Sequence, residues 1–118
     1  MKFYISHSTR FNYQDELYKP LKQLIQNIDF YFPHAEQPDA INTRHIIENV
    51  DYVLAEVSYP STGQGIELAW AHDAAIPIIG IHKPGAVISS SLKLICSQFY
   101  AYEDMGEFVG RFFSEVSR

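Results

Sequence analysis

Asp51-Tyr-Val-Leu-Ala-Glu-Val57, Ser58-Tyr-Pro-Ser-Thr-Gly-Gln-Gly65 and Ile66-Glu-Leu-Ala-Trp-Ala71 follow one another without interruption. The first segment is a short apolar run bounded by turn residues, the pattern of a parallel strand covered on both faces. The second holds a proline and two glycines, Gly63 and Gly65, which predict a sharply turning loop that a ligand can approach closely. The third reads as a helix from about Gly65 to Ala75 with Glu67 in its first turn. A helix N-terminus offers free N–H groups and a positive dipole end to an anion, and favours the ionised form of a nearby carboxylate.

On either side of this stretch, strand alternates with helix. Lys2–Ser6 is strand-like, and the polar run His7-Ser-Thr-Arg-Phe-Asn12 is a loop. Leu17, Leu21, Leu24, Ile25 and Ile28 have helical spacing over about Asp15–Ile28. Pro20 fits there only if the helix begins near Leu17, where a missing N–H has no partner to lose. Asp29–Pro33 is a short aromatic strand, and His34–Asp39 is a loop. Residues 40–50 read as a helix carrying Ile41, His45, Ile46 and Val50 on one side, and Asn42 could cap a shorter version of it. Ile76–Ile81 is a fourth strand, Lys83-Pro-Gly85 a turn, and Ser89–Ser91 the start of a helix ending near Cys96. Gln98–Tyr102 is a fifth strand. The last helix carries the stripe Met105, Phe108, Val109, Phe112, Phe113 and Val116, which reads as core or dimer surface.

This alternation predicts one α/β domain over residues 1–118, a flavodoxin-like three-layer sandwich with a five-stranded parallel sheet in the order 2-1-3-4-5. Ligands of such sheets bind beyond the C-terminal strand ends, at the switch point between strands 1 and 3. That point brings the loop at His7–Asn12 beside the loop at Ser58–Gly65.

Composition narrows the function classes. With 118 residues and a net charge of −5, the chain lacks the basic balance of a nucleic-acid binder. The lone Cys96 excludes an internal disulfide and fits a reducing compartment. No apolar run is long enough to span a bilayer and no signal peptide is evident, so a cytoplasmic protein without membrane partners is expected. The histidines have no metal-ligand spacing, so neither metal nor cofactor is expected.

From the residues alone, the switch point holds Tyr4, Ser6, His7, Ser8 and Arg10 from the first strand and loop. Glu56, Ser58, Ser61, Gly63, Gly65 and Glu67 come from the third strand, its loop and the start of the next helix. Hydroxyls, backbone N–H groups and an arginine suit a phosphate. Each residue also has an ordinary reading: Glu67 as a helix-stabilising acid, Ser61 as a turn residue, Arg10 as a solvated charge and Tyr4 as a core aromatic. Asp51 and Glu56 lie in or beside a buried strand, where hydrogen bonding to nearby loops is the expected job.

The segment Asp51–Ala71 resembles the central motif of the nucleoside 2-deoxyribosyltransferase superfamily, and most of all its 2'-deoxynucleoside 5'-monophosphate N-glycosidase branch. The shared features are the Asp…Ala-Glu-Val block, Pro60-Ser61, the paired glycines and a glutamate two residues beyond the second. Tyr4-Ile-Ser-His-Ser-Thr-Arg10 is similar to the family's segment after the first strand. The resemblance implies that Glu67 is a nucleophile forming a glycosyl ester, with Tyr4 beside the sugar. It implies phosphate contacts from Ser8, Arg10 and Ser61, and makes Ser90 the later phosphate-contacting serine, which a dimer partner can donate. A homodimer with a composite site, acting on a nucleotide or nucleoside by hydrolysis or transfer, is the expected assembly. Eight residues ahead of Asp51 the family carries an aspartate that helps with sugar and base; this chain has Thr43 there, between Asn42 and Arg44. Two alternatives stand beside this reading. Phe3-Tyr-Ile-Ser-His-Ser8 is similar to the first strand of TIR-like domains, which can cleave NAD with a glutamate, and a non-catalytic nucleotide-binding module could keep the same loops.

Overall fold

The structure is a computed structural model and describes residues 1–24, 27–34 and 42–116. The five strands are β1 (Lys2–His7), β2 (Asp29–Tyr31), β3 (Tyr52–Glu56), β4 (Ile78–His82) and β5 (Gln98–Ala101). All neighbours pair in parallel, in the order β2-β1-β3-β4-β5. This is the flavodoxin-like α/β sandwich that the alternation predicts.

The period-2 alternation of each strand sorts its side chains between two cores. Phe3 and Ile5 of β1, Leu54 of β3 and Ile81 of β4 enter one cluster with Leu17, Leu21, Phe108, Val109 and Phe113. Tyr4, Val53, Ala55 and Ile78 enter the other, with Ile47, Leu68 and Ala71. The first face is covered by α1 (Lys19–Lys22) and α4 (Met105–Val116), the second by α2 (Arg44–Ile47) and α3 (Thr62–Asp73). The stripe on α4 is core: Met105, Phe108, Val109, Phe112 and Phe113 are all buried, while the Val116 side chain lies outside the described residues. Among the described residues, no helix is long and apolar enough to cross a membrane.

Several boundaries differ from the sequence reading. The first helix is a π-helical turn, Gln14–Tyr18, running into α1, and it stops by Gln23 instead of reaching Ile28. Pro20 sits in the first turn of α1, directly after the π-helical turn, so the helix begins ahead of it at Gln14 and not near Leu17. Ile25 of the predicted stripe, and the 35–41 segment with Ile41, lie outside the described residues. α2 is a single turn, and the Asn42 side chain accepts from the Arg44 N–H at 3.0 Å, as a shorter helix would need. The helix expected from Ser89 shrinks to a 3₁₀ turn at Leu92–Leu94. β2 ends at Tyr31, before Pro33, and β4 starts at Ile78, after Pro77, because proline cannot donate to a ladder.

The correction that matters most for function concerns α3. It starts at Thr62, not at Gly65, because the Ser61 side chain caps it by accepting from the Gln64 N–H at 3.4 Å. Gly63 and Gly65 are therefore helical residues and make no sharp turn; the described glycine with positive φ is Gly85. An added Cβ at Gly63 or Gly65 would meet nothing within 4 Å, so both leave open space beside the helix. Glu67 moves from the first turn into the second, where the dipole of the helix N-terminus has largely faded.

Candidate active site

The C-terminal ends of β1 and β3 lie side by side, with Ser6 opposite Ala55 and His7 opposite Glu56. Gln64 ties these ends to α3. Its side-chain N–H groups donate to the Ser6 carbonyl at 3.2 Å and the Glu56 carbonyl at 2.8 Å. That amide is buried, so both bonds form away from water, and α3 is held against the switch point one turn before Glu67.

What holds the Glu67 carboxylate is a set of hydroxyls. Tyr4 Oη donates to Oε2, Thr43 Oγ1 donates to Oε2 at 3.0 Å, and Ser6 Oγ donates to Oε1 at 3.1 Å. All three donors are buried, whereas Glu67 itself is partly exposed. Tyr4 and Ser6 are two residues apart on β1 and so point to the same face, while Thr43 immediately precedes α2. Burial, then the Glu67 charge, then the hydrogen bond to it push the Tyr4 phenol far above its ordinary pKa, so Tyr4 remains a donor.

Glu67 opens into a cleft of about 320 Å³. Thr43, Ser61, Gly63, Gln64, Ile66 and Trp70 line it from the α2–α3 side, and His7, Thr9, Pro33 and His34 from the other. Its size suits a small molecule. His7 is neutral and locked: Nδ1–H donates to the Ser8 carbonyl at 2.8 Å, and Nε2 accepts from Tyr18 Oη at 2.5 Å. Burial lowers its pKa to about 4, with the Ser8 bond opposing part of the shift.

The expected site residues separate into two groups. Glu67, Tyr4, Ser61 and Gly63 come together at or beneath the cleft. Ser8 is buried and accepts from the Arg10 N–H at 3.1 Å, closing the loop after β1, while the Arg10 side chain is exposed and does not line the cleft. Gly65 and the exposed Ser90 do not line it either. Gln64, Thr9, Pro33, His34, Ile66 and Trp70 were missed. Ser61-Thr-Gly-Gln64 has the spacing of a capping box and could have marked both the true helix start and Gln64.

Asp51 and Glu56 have the structural jobs expected of them. Asp51 accepts from the Lys2 N–H at 2.7 Å. The Glu56 carboxylate, only 1% exposed, accepts from the Ser58 N–H at 2.6 Å, from Ser58 Oγ at 3.0 Å and from Tyr102 Oη.

Two curated proteins provisionally named 2'-deoxynucleoside 5'-phosphate N-hydrolase 1 are similar to this chain. That of Syntrophotalea carbinolica is 45% identical over 66 residues, covering 45% of this chain and 46% of the relative. That of Methanosarcina mazei is 40% identical over 45 residues, covering 38% of this chain and 28% of the relative. These two likenesses support the resemblance to the nucleoside 2-deoxyribosyltransferase-like superfamily. The matched stretch spans less than half of either curated relative. The fold of this chain is similar to that of a CMP N-glycosidase from Clostridium botulinum, with a TM-score of 0.66, 14% identity and coverage of 96% of this chain and 99% of the other. A conserved protein from Enterococcus faecalis has the same TM-score, 0.66, with 12% identity and 98% coverage of both chains. At those identities the likeness concerns the fold. No family model matches the chain.

Proposed function

We propose that this chain cleaves the N-glycosidic bond of a (deoxy)nucleoside 5'-monophosphate, or of a related nucleoside, through a covalent glycosyl-Glu67 intermediate. The observation that carries this reading is the carboxylate of Glu67, partly exposed in the cleft and fixed from behind by Tyr4, Ser6 and Thr43. A nucleophile needs an orientation set in advance and an open side facing the substrate, and Glu67 has both.

The sugar sits over Glu67, with its anomeric carbon facing the carboxylate. The 5'-phosphate lies toward Ser61 and Gly63, where the start of α3 presents backbone N–H groups and a hydroxyl. Pro33, His34, Ile66 and Trp70 supply the apolar and aromatic wall that a nucleobase needs. Attack on the anomeric carbon expels the base, and water or another acceptor then opens the ester, the double displacement of a retaining glycosidase. The named activity of the two relatives supports this choice of substrate class. Arg10 and Ser90 complete the phosphate site in a homodimer, Ser90 from the neighbouring subunit.

Release of free base from a panel of deoxynucleoside and ribonucleoside monophosphates, followed by chromatography, tests the proposal. Base release by the wild-type protein, lost in Glu67→Ala, supports it. No release from any of them, or release that survives Glu67→Ala, overturns it. Nicotinamide release from NAD, assayed alongside, distinguishes the TIR-like alternative.

A further inference from the structure

We propose that Thr43 is a positioning residue that, with Tyr4, occupies Oε2 of Glu67 and so assigns the attack on the sugar to Oε1. The inference rests on the glycosidase reading above and names the atom that carries it out. A carboxylate accepts hydrogen bonds at about four in-plane sites, two on each oxygen. Among the described residues, Oε2 already has two donors, Tyr4 Oη and Thr43 Oγ1, whereas Oε1 has one, Ser6 Oγ. Oε1 therefore keeps an unshared lone pair for a carbon electrophile.

The setting of Thr43 supports the assignment independently. Thr43 holds the N-cap position of α2, where a threonine ordinarily accepts a hydrogen bond from the first turn. Its side chain makes no such bond. The Arg44 N–H is instead met by Asn42 Oδ1 at 3.0 Å, and the Thr43 hydroxyl is turned to Glu67, 24 residues away in sequence. The residue is 3% exposed, so the donor side of this bond is buried.

In the step itself, an Oε1 lone pair forms the bond to the anomeric carbon as the bond to the base nitrogen breaks, and that electron pair leaves on the base. Oε2 becomes the ester carbonyl oxygen and keeps both donors. Water then bonds to the anomeric carbon as the Oε1–carbon bond breaks and the carboxylate returns. The sugar retains the hydroxyl, the remaining proton goes to the released base, and one water is consumed.

The test compares Thr43→Val, which keeps the shape and loses the hydroxyl, with Thr43→Ser, which keeps the hydroxyl. Thr43→Val should lower kcat about 10- to 100-fold, the size expected for one hydrogen bond to a charged group, with KM within about twofold of wild type. Thr43→Ser should recover kcat to within about threefold. A Thr43→Val enzyme with unchanged kcat, or one whose defect Thr43→Ser does not relieve, overturns the proposal. Crystal structures of the variants give a readout that needs no turnover. The Glu67 carboxylate should rotate away from its wild-type plane in Thr43→Val and keep it in Thr43→Ser, and an unrotated carboxylate in Thr43→Val overturns the role of Thr43. If wild type proves inactive on every nucleotide, the glycosidase reading fails, while the rotation still decides whether Thr43 orients Glu67.

Discussion

Glu56 and Glu67 stand on opposite faces of the same sheet edge, and each carboxylate accepts three hydrogen bonds. Glu56 follows Leu54 by two positions on β3 and so points into the α1–α4 layer, where Ser58 and Tyr102 enclose it at 1% exposure. Glu67 faces the α2–α3 side and lines the cleft, and among the described residues one of its oxygens has a single donor. Two of the three donors to Glu56 belong to Ser58, only two residues further on, and form a local closure of the loop. The donors to Glu67 lie on β1 and just ahead of α2, 24 to 63 residues away. A count of bonds does not separate a structural acid from a reactive one. The open side, and distant rigid elements that spend their hydroxyls on a single carboxylate, make the difference.

Exchanging each acid for its amide should invert the two phenotypes, and this is the largest effect expected. Glu67→Gln should cut base release by at least about 10³-fold, the loss of a nucleophile, while the melting temperature changes little. Glu56→Gln should leave kcat per folded molecule near wild type and destabilise by about 1–3 kcal/mol, because an amide cannot accept from all three donors. Base-release assays and thermal melts on both variants check the exchange. A stable Glu56→Gln beside an unfolded Glu67→Gln would reverse the assignment.

His7 ends β1 opposite Glu56 and is buried although it borders the cleft. Burial lowers its folded pKa to about 4, below the ordinary value of 6.5. The unfolded chain therefore binds the extra proton first, and stability is lost as pH falls from about 6.5 toward 4, then levels off. The full shift corresponds to on the order of 3 kcal/mol. His7→Phe removes this component, so the stability gap between wild type and variant should narrow over that window and stay constant above pH 7. Urea denaturation at a series of pH values measures it, and parallel curves for the two proteins would refute the claim.

Away from the cleft, the Glu67 face leaves little room where β4 meets β5. Gly80 on β4 pairs with Phe99 on β5, and a Cβ at Gly80 would come within 2.6 Å of the Phe99 ring. Gly80→Ala should cost about 1–3 kcal/mol as an overpacked core. Adding Phe99→Leu should restore part of the loss, which differential scanning calorimetry would detect.

Periodicity and turn residues were enough to place all five strands, because β1, β3 and β4 carry apolar runs buried on both faces and the more exposed edge strands β2 and β5 follow from the strand–helix alternation. That Glu67, Tyr4 and Ser61 lie near one another was also legible, through the Asp51–Ala71 motif, the separate Tyr4–Arg10 segment and their position at the switch point. Element ends were not, since they depend on caps: the Ser61 cap starts α3 at Thr62, three residues before Gly65, and single turns at Arg44–Ile47 and Leu92–Leu94 replace longer helices. The Thr43–Glu67 bond was hidden for a different reason. It joins a position that reads as a missing acid to a helix 24 residues on, and only the packing of α2 against α3 brings them together.

Ser61 is where the open site and the local structure meet, since one hydroxyl caps α3 and faces the cleft. Two substitutions separate those jobs. Aspartate is as good an N-cap as serine, so Ser61→Asp should keep the stability of the helix while setting a negative charge against an incoming phosphate. KM for a 5'-monophosphate should rise about tenfold and that for the matching nucleoside should stay unchanged. Ser61→Ala removes the cap and should cost about 1 kcal/mol of stability, with a smaller loss of phosphate discrimination. Equal effects of Ser61→Asp on nucleotide and nucleoside would leave Ser61 as a cap alone and move the phosphate to another part of the cleft.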